Sequence, residues 1–208
     1  MWAVAVVIVV FLILLLAEYL SRFKGVHSEL TRKMVHILVG VFVAFWPFFL
    51  SWRQIQMLSI AFLIVVIVSI KINLFRSIHA VQRNALGELL FAMVIGLLAF
   101  ISTDAYVFMA AMLFLSVADG MAAVVGLLKG DGNSYEVFGR TKSVAGSLAF
   151  FFSAVAIVIF YSMLSDSSYS AMTLLALPVV TTVIENVAVH GTDNLVIPLL
   201  VALVLTSA

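Results

Sequence analysis

The chain has 208 residues, of which 65% are hydrophobic and 10% charged, with a formal net charge of +1 and no cysteine. That balance excludes a water-soluble single domain and makes lipid the main solvent. It also leaves no disulfide framework, thiolate metal site or cysteine nucleophile, and a charge so close to neutral argues against a nucleic-acid partner.

Crossing a hydrocarbon core takes roughly 20 apolar residues. Between polar breaks, stretches approaching that length run over 2–20, 35–50, 55–70, 86–101, 105–128, 144–164, 171–189 and 195–205. They predict an all-α transmembrane bundle of seven or eight helices, forming one integral membrane domain over residues 1–208. Period-two alternation is absent, which argues against an outer-membrane barrel. The last stretch falls short of the hydrocarbon thickness at about 1.5 Å per residue, so it is read as re-entrant or as extended through Asn194 and its neighbours. The first stretch is followed, not preceded, by basic residues, Arg22 and Lys24. This is the reverse of a cleaved signal peptide and predicts a retained helix with its N-terminus outside.

Charge sets the expected orientation. Segment 21–33 carries Arg22, Lys24, Arg32 and Lys33; segment 71–85 carries Lys71, Arg76 and Arg83; segment 129–143 carries Lys129, Arg140 and Lys142. The alternate loops hold Arg53, beside the aromatic group Trp46, Phe48, Phe49 and Trp52. Positive charge accumulates on the cytoplasmic side, so the basic loops, and with them segment 186–193, are expected there. Basic loops of this kind also suit anionic headgroups. No soluble domain, long linker or internal repeat is evident. The expected location is a bacterial or archaeal plasma membrane or an organelle membrane.

Within this apolar background a few polar residues stand out. Asp119 lies roughly 14 Å of helix rise from the nearest basic loop. A lone carboxylate at such depth costs at least about 2.5–3.5 kcal/mol, which favours a paired, metal-bound or water-lined position; a neighbouring helix's backbone or hydroxyl groups could also satisfy it. Ala122, Gly126 and Gly130 recur every four residues along one stripe headed by Asp119. Such a stripe lets another backbone approach closely, or lets a ligand lie along it.

Downstream, Phe138-Gly139-Arg140-Thr141-Lys142-Ser143 opens the sixth helix. Lys142, the Ser143 hydroxyl, loop N–H groups and the positive helix terminus could converge on one anion, or the pair could be a snorkelling lysine and a capping serine. It is not a Walker A loop, because Gly139 stands three positions before Lys142 and no strand is expected ahead of it. Glu88, Glu185 and Asp193, the last beside Asn194, are expected at the same membrane level. Together they could hold Mg²⁺ beside phosphate oxygens; singly, each reads as an interfacial residue. At the start of the second helix Arg32 and His36 share a side, with Lys33 adjacent and Gly40 a turn later. His36 is either a packing residue or a phosphate contact and proton acceptor. His27, His79 and His190 have weaker contexts.

Together these residues resemble the dolichol kinase and phytol kinase family of polytopic, nucleotide-dependent lipid-alcohol kinases, over most of the chain. Asp119, Ala122, Gly126 and Gly130 fit that family's CTP-binding pattern of Asp, two residues, Ala, three residues, Gly, three residues, Gly. Arg32-Lys33 with His36, Leu86-Gly87-Glu88, the block Lys142-Ser143-Val144-Ala145-Gly146-Ser147, and Glu185 followed by Gly191-Thr192-Asp193-Asn194 support it. The dolichol kinase form has two basic residues and a Glu where Thr141, Lys142 and Ala145 stand, so the chain looks closer to phytol kinases.

The resemblance implies transfer of the γ-phosphoryl group of CTP, or of UTP or ATP, with Mg²⁺ as cofactor. The acceptor would be the hydroxyl of a membrane isoprenoid alcohol such as phytol, polyprenol or dolichol, at a cytoplasmic-facing site drawn from 32–143 and 185–194. It implies catalytic roles for Asp119, His36 and Asp193, and metal contacts from Asp119, Glu88, Asp193 and Glu185. Nucleotide contacts are expected from Ala122, Gly126, Gly130, Arg140, Lys142, Ser143, Gly146 and Asn194, and phosphate or substrate contacts from Arg32 and Lys33. The alternatives are a lipid cytidylyltransferase using CTP, a diacylglycerol kinase, or a small secondary transporter with Asp119 as its coupling residue.

Overall fold

The computed structural model describes residues 2–24, 28–72, 85–165 and 169–206, with side chains described for 4–17, 19, 30–71, 86–165 and 169–206. His27, Arg76, His79 and Arg83, considered above, lie outside the described residues, as do the side chains of Arg22 and Lys24. Eight α-helices are described: α1 Trp2–Lys24, α2 Ser28–Ala44, α3 Trp52–Ile72, α4 Ala85–Ile101, α5 Ala105–Lys129, α6 Val144–Leu164, α7 Ala171–Val187 and α8 Asp193–Thr206. The protein is therefore helical, as expected, with one addition. A two-stranded antiparallel hairpin, β1 Ser134–Val137 and β2 Arg140–Ser143, connects α5 to α6.

Among the described residues, four segments are long and apolar enough to cross a membrane: Leu30–Phe48, Trp52–Lys71, Ala105–Lys129 and Val144–Leu164. The remaining apolar helical segments are shorter; α8, at 14 residues, reaches about 21 Å. Met57, Ile60, Ile64 and Val68 are exposed along α3, an apolar outer face that suits lipid and not water.

Helix α5 is the axis of the molecule. It packs against α2, α6 and α8. Val107 through Leu115 are buried on every side of the helix, as a helix that is apolar all round must be. Asp104 caps its start, accepting from the Tyr106 and Val107 N–H groups, and so replaces partners that the first turn cannot provide.

Two boundaries differ from those the sequence suggests. Helix α2 starts at Ser28 and stops at Ala44, where Pro47 shapes a 3₁₀ turn over Trp46–Phe48, because proline supplies no N–H for a continuing helix. Arg32 and Lys33 are thus carried within α2 and not in a loop. The hairpin was not anticipated, although its turn is chemically specified. Phe138 and Gly139 both have positive φ, 48° and 72°, which is the two-residue turn whose twist matches paired strands.

Candidate active site

The polar residues gather where α2, α4, α6 and α8 begin and where α5 and α7 end. Asp119 sits there because of an irregularity in α5. Over Phe114–Ala118 the helix widens into a π turn, and the Asp119 N–H reaches back to the Phe114 carbonyl. The Leu115 carbonyl accepts from His36 Nε2 at 2.8 Å. Turns of this kind insert one extra residue and recur at functional sites.

Asp119 itself is 6% exposed. Its Oδ2 accepts from Lys33 Nζ at 2.8 Å and lies 3.2 Å from His36 Nε2. Since Nε2 faces a carbonyl and a carboxylate, that nitrogen carries the proton, leaving Nδ1 as the acceptor. The His36 ring also rests against Phe91 of α4, with centroids 4.8 Å apart. Lys33 thus contacts a carboxylate, although the sequence suggested a phosphate or substrate.

A second ion pair stands across the site. Lys142 Nζ, on β2, donates to Glu185 Oε1 at 2.5 Å and to the Glu185 carbonyl at 2.9 Å. Lys142 therefore lies on a strand and not in a helix-opening loop. The Ser143 hydroxyl caps α6 by accepting from the Gly146 N–H, while Asn133 receives the N–H groups of Val144 and Ala145. These donors at the α6 terminus are engaged within the chain. Beside the pair, the Tyr135 hydroxyl, Ser147 and Asn186 share a hydrogen-bond cluster. Sequence reasoning missed Tyr135 and Asn186, since a tyrosine and an asparagine 51 residues apart carry no spacing signal.

Small residues bring the elements close. A Cβ on Gly126 or Gly130 would press on Ser143, and one on Gly146 would lie 2.8 Å from the Ala122 carbonyl. The stripe Ala122, Gly126, Gly130 therefore packs against the start of α6 while also facing the cavity. At the other side, Gly191 has φ +81° and its Cβ would lie 2.7 Å from Gly87 Cα. Asn194 Nδ2 donates to the Gly87 carbonyl at 2.9 Å. Two sequence motifs more than 100 residues apart thus meet backbone to backbone.

These elements enclose a cavity of about 500 Å³. Arg32, Lys33, Arg140 and Lys142 line it together with Asp119, Glu185 and Asp193. Asp131 and Ser134, which the sequence did not single out, also reach its wall. Arg140 pairs with no carboxylate among the described residues. His36 and Glu88 lie outside this cavity and line a smaller one beside it.

The four acids expected to share a metal are thus distributed: Asp119 and Glu185 each hold a lysine, and Glu88 stands apart. Among the described residues no three metal-ligating side chains converge. Magnesium needs only one or two carboxylates, completed by phosphate oxygens and water. Asp193 Oδ1 fits that requirement: it is buried, meets no donor among the described residues and belongs to a residue of the cavity wall.

Fold and site together define a helical protein with segments long and apolar enough to cross a membrane and a charged cavity at one end, large enough for a polyanionic ligand. A phytol kinase of Synechocystis sp. is 31% identical to it over 204 residues, covering 92% of this chain and 84% of that protein. No family model and no solved structure matches the chain. The chain belongs to the phytol kinase and dolichol kinase family, the family its motifs resemble, and is accordingly a kinase.

Proposed function

We propose that the protein transfers the γ-phosphoryl group of a nucleoside triphosphate, CTP in our reading, to the hydroxyl of an isoprenoid alcohol held in the bilayer. Phytol is the first candidate, because the similar protein is a phytol kinase; polyprenol and dolichol share the chemistry. The observation that carries the reading is the cavity itself, where four basic side chains and four acids meet beside a stripe too small to obstruct a nucleotide. The positive-inside bias of the basic loops supports a cytoplasmic orientation for this end of the molecule, where nucleotide is found.

Phosphoryl transfer requires positioning and neutralisation of charge more than covalent participation by the protein. Arg140, which pairs with no acid among the described residues, meets the nucleotide phosphates, and Lys142 and Arg32 add charge from either side. Lys33 fixes the Asp119 carboxylate. Asp193 and Asp119 would hold Mg²⁺, which when bound neutralises charge on the phosphate oxygens. His36 Nδ1 accepts the hydroxyl proton while its Nε2–H stays on Leu115 and Asp119, an arrangement that steadies the imidazolium so formed. The alcohol oxygen bonds to the γ-phosphorus, the bridging β–γ bond breaks, and the nucleoside diphosphate leaves.

The test is to incubate the purified protein with γ-labelled CTP, Mg²⁺ and a panel of isoprenoid alcohols and diacylglycerol. Label should enter an isoprenoid alcohol with release of CDP. Label in no lipid overturns the proposal, and release of pyrophosphate points to cytidylyl transfer instead.

A further inference from the structure

Next to the large cavity lies a second one of about 90 Å³, smaller than the ~150 Å³ that admits a benzene ring. Five helices contribute to its wall, with Leu14 from α1 and Asn194 from α8, and two of them line it at helical spacing. Arg32, Val35, His36 and Val39 face it from α2, and Phe62, Val65, Val66 and Ser69 from α3. Positions i, i+3, i+4 and i+7 form one face of a helix, so two whole faces are turned toward this space. Gly87, Glu88 and Phe91 close it from α4.

The cavity is graded along its length. Helices α3 and α4 are antiparallel, as the Ser59-to-Ala92 and Gln56-to-Ala99 hydrogen bonds show. Arg32, Ser69 and Glu88 therefore gather at the end nearest the large cavity, and the Arg32 charge acts on the Glu88 carboxylate. Val39 and Phe62 occupy the other end, about 10 Å further along α2 and α3, and Phe91 lies between, about 4.5 Å beyond Glu88 on α4. The two cavities share Arg32, Gly87 and Asn194 in their walls. Val65 is 49% exposed, so the α3 wall reaches the apolar outer surface of the molecule.

We propose that this cavity receives the hydroxyl-bearing end of the acceptor, an uncharged long-chain alcohol, and that Val65, Phe62 and Phe91 select it by the width of the chain beyond the hydroxyl. The inference rests on the kinase reading and locates its acceptor. An apolar sleeve suits a few carbons of a hydrocarbon chain, and the polar end gives the hydroxyl donors and acceptors beside the phosphate-sized cavity. His36 stands between, with Nε2 on Asp119 of the large cavity and its ring lining the small one. The volume admits a short segment only, so the remainder of the tail leaves past Val65 into lipid.

Steady-state kinetics with the alcohol in mixed micelles test this. Val65→Trp should raise the KM for the alcohol by about tenfold or more, with the KM for nucleotide unchanged. Phe62→Ala should shift relative kcat/KM about threefold or more toward alcohols branched further along the chain from the hydroxyl. An unchanged acceptor KM in Val65→Trp, or a rise in nucleotide KM instead, overturns the assignment.

Photolabelling with a diazirine-bearing long-chain alcohol, without nucleotide, separates the pocket from the reaction. Label on α2–α4 around Val65 that is lost in Val65→Trp supports the pocket, whereas label confined elsewhere rejects it. A wild-type protein labelled there but transferring phosphate to no alcohol would overturn the kinase reading alone.

Discussion

Asp119 is held by two cationic or protonated partners, Lys33 and His36, brought from 86 and 83 positions earlier in the chain. Asp119→Asn keeps the shape and removes the charge that both partners contact. Turnover should fall on the order of 10³-fold while the protein stays inserted and folded, as checked by activity beside size-exclusion and thermal melting in detergent. Lys142 poses a different question, because it serves both a carboxylate and the cavity. Lys142→Met should weaken nucleotide use and also destabilise the fold by up to about 3 kcal/mol, since Glu185 is left buried without its partner. Adding Glu185→Gln should recover most of the melting temperature and none of the nucleotide affinity; a cycle of the two variants measures the coupling. Asp119 was legible in the sequence because a charge inside an apolar run is costly. Its partner was not, because Lys33 sits among other basic residues and nothing local marks which acid it meets.

At the scale of elements, helices were readable from apolar length alone, and their ends were less so. Helix α2 begins at Ser28, ahead of the apolar stretch at 35–50, and carries Arg32 and Lys33 in its opening turns as their spacing with His36 suggests; both face a cavity and not bulk water. The hairpin escaped notice because its strands are four residues each and largely polar, without the alternation that marks a half-buried strand. Its turn carries Phe138 in a left-handed conformation that a Cβ-bearing aromatic adopts at a cost. Phe138 is largely exposed, so Phe138→Asn, which yields the Asn-Gly pair favoured in such turns, should stabilise the protein by roughly 1 kcal/mol. Thermal melting reads the gain, and unchanged nucleotide KM would show that β2 still presents Arg140 and Lys142 as before. A fall in melting temperature would mean that the Phe138 ring has a partner outside the chain.

For the whole molecule, the helices that bring charge together do so at one end, and the absence of cysteine offers a direct way to find which side of the membrane that end faces. Single cysteines at Glu136, on the hairpin, and Thr103, before α5, are both on exposed positions. In sealed right-side-out vesicles, a membrane-impermeant maleimide should label Thr103→Cys at once and Glu136→Cys only after permeabilisation. The reverse pattern would overturn the orientation drawn from the basic loops.

The π turn in α5 has a consequence for how such a helix tolerates change. One surplus residue in the middle of the central shaft rotates everything beyond it by about 100° relative to a regular helix. The half before the turn is phased to its hydrocarbon neighbours and the half after it to the charged cavity, so each can vary without retiming the other. Deleting Val117 would restore a regular pitch and swing the carboxylate of Asp119 away from Lys33, along with the small-residue stripe behind it. Such a variant should insert and keep the packing around Phe108 and Met112, yet lose turnover, which activity and proteolytic protection measured together would reveal.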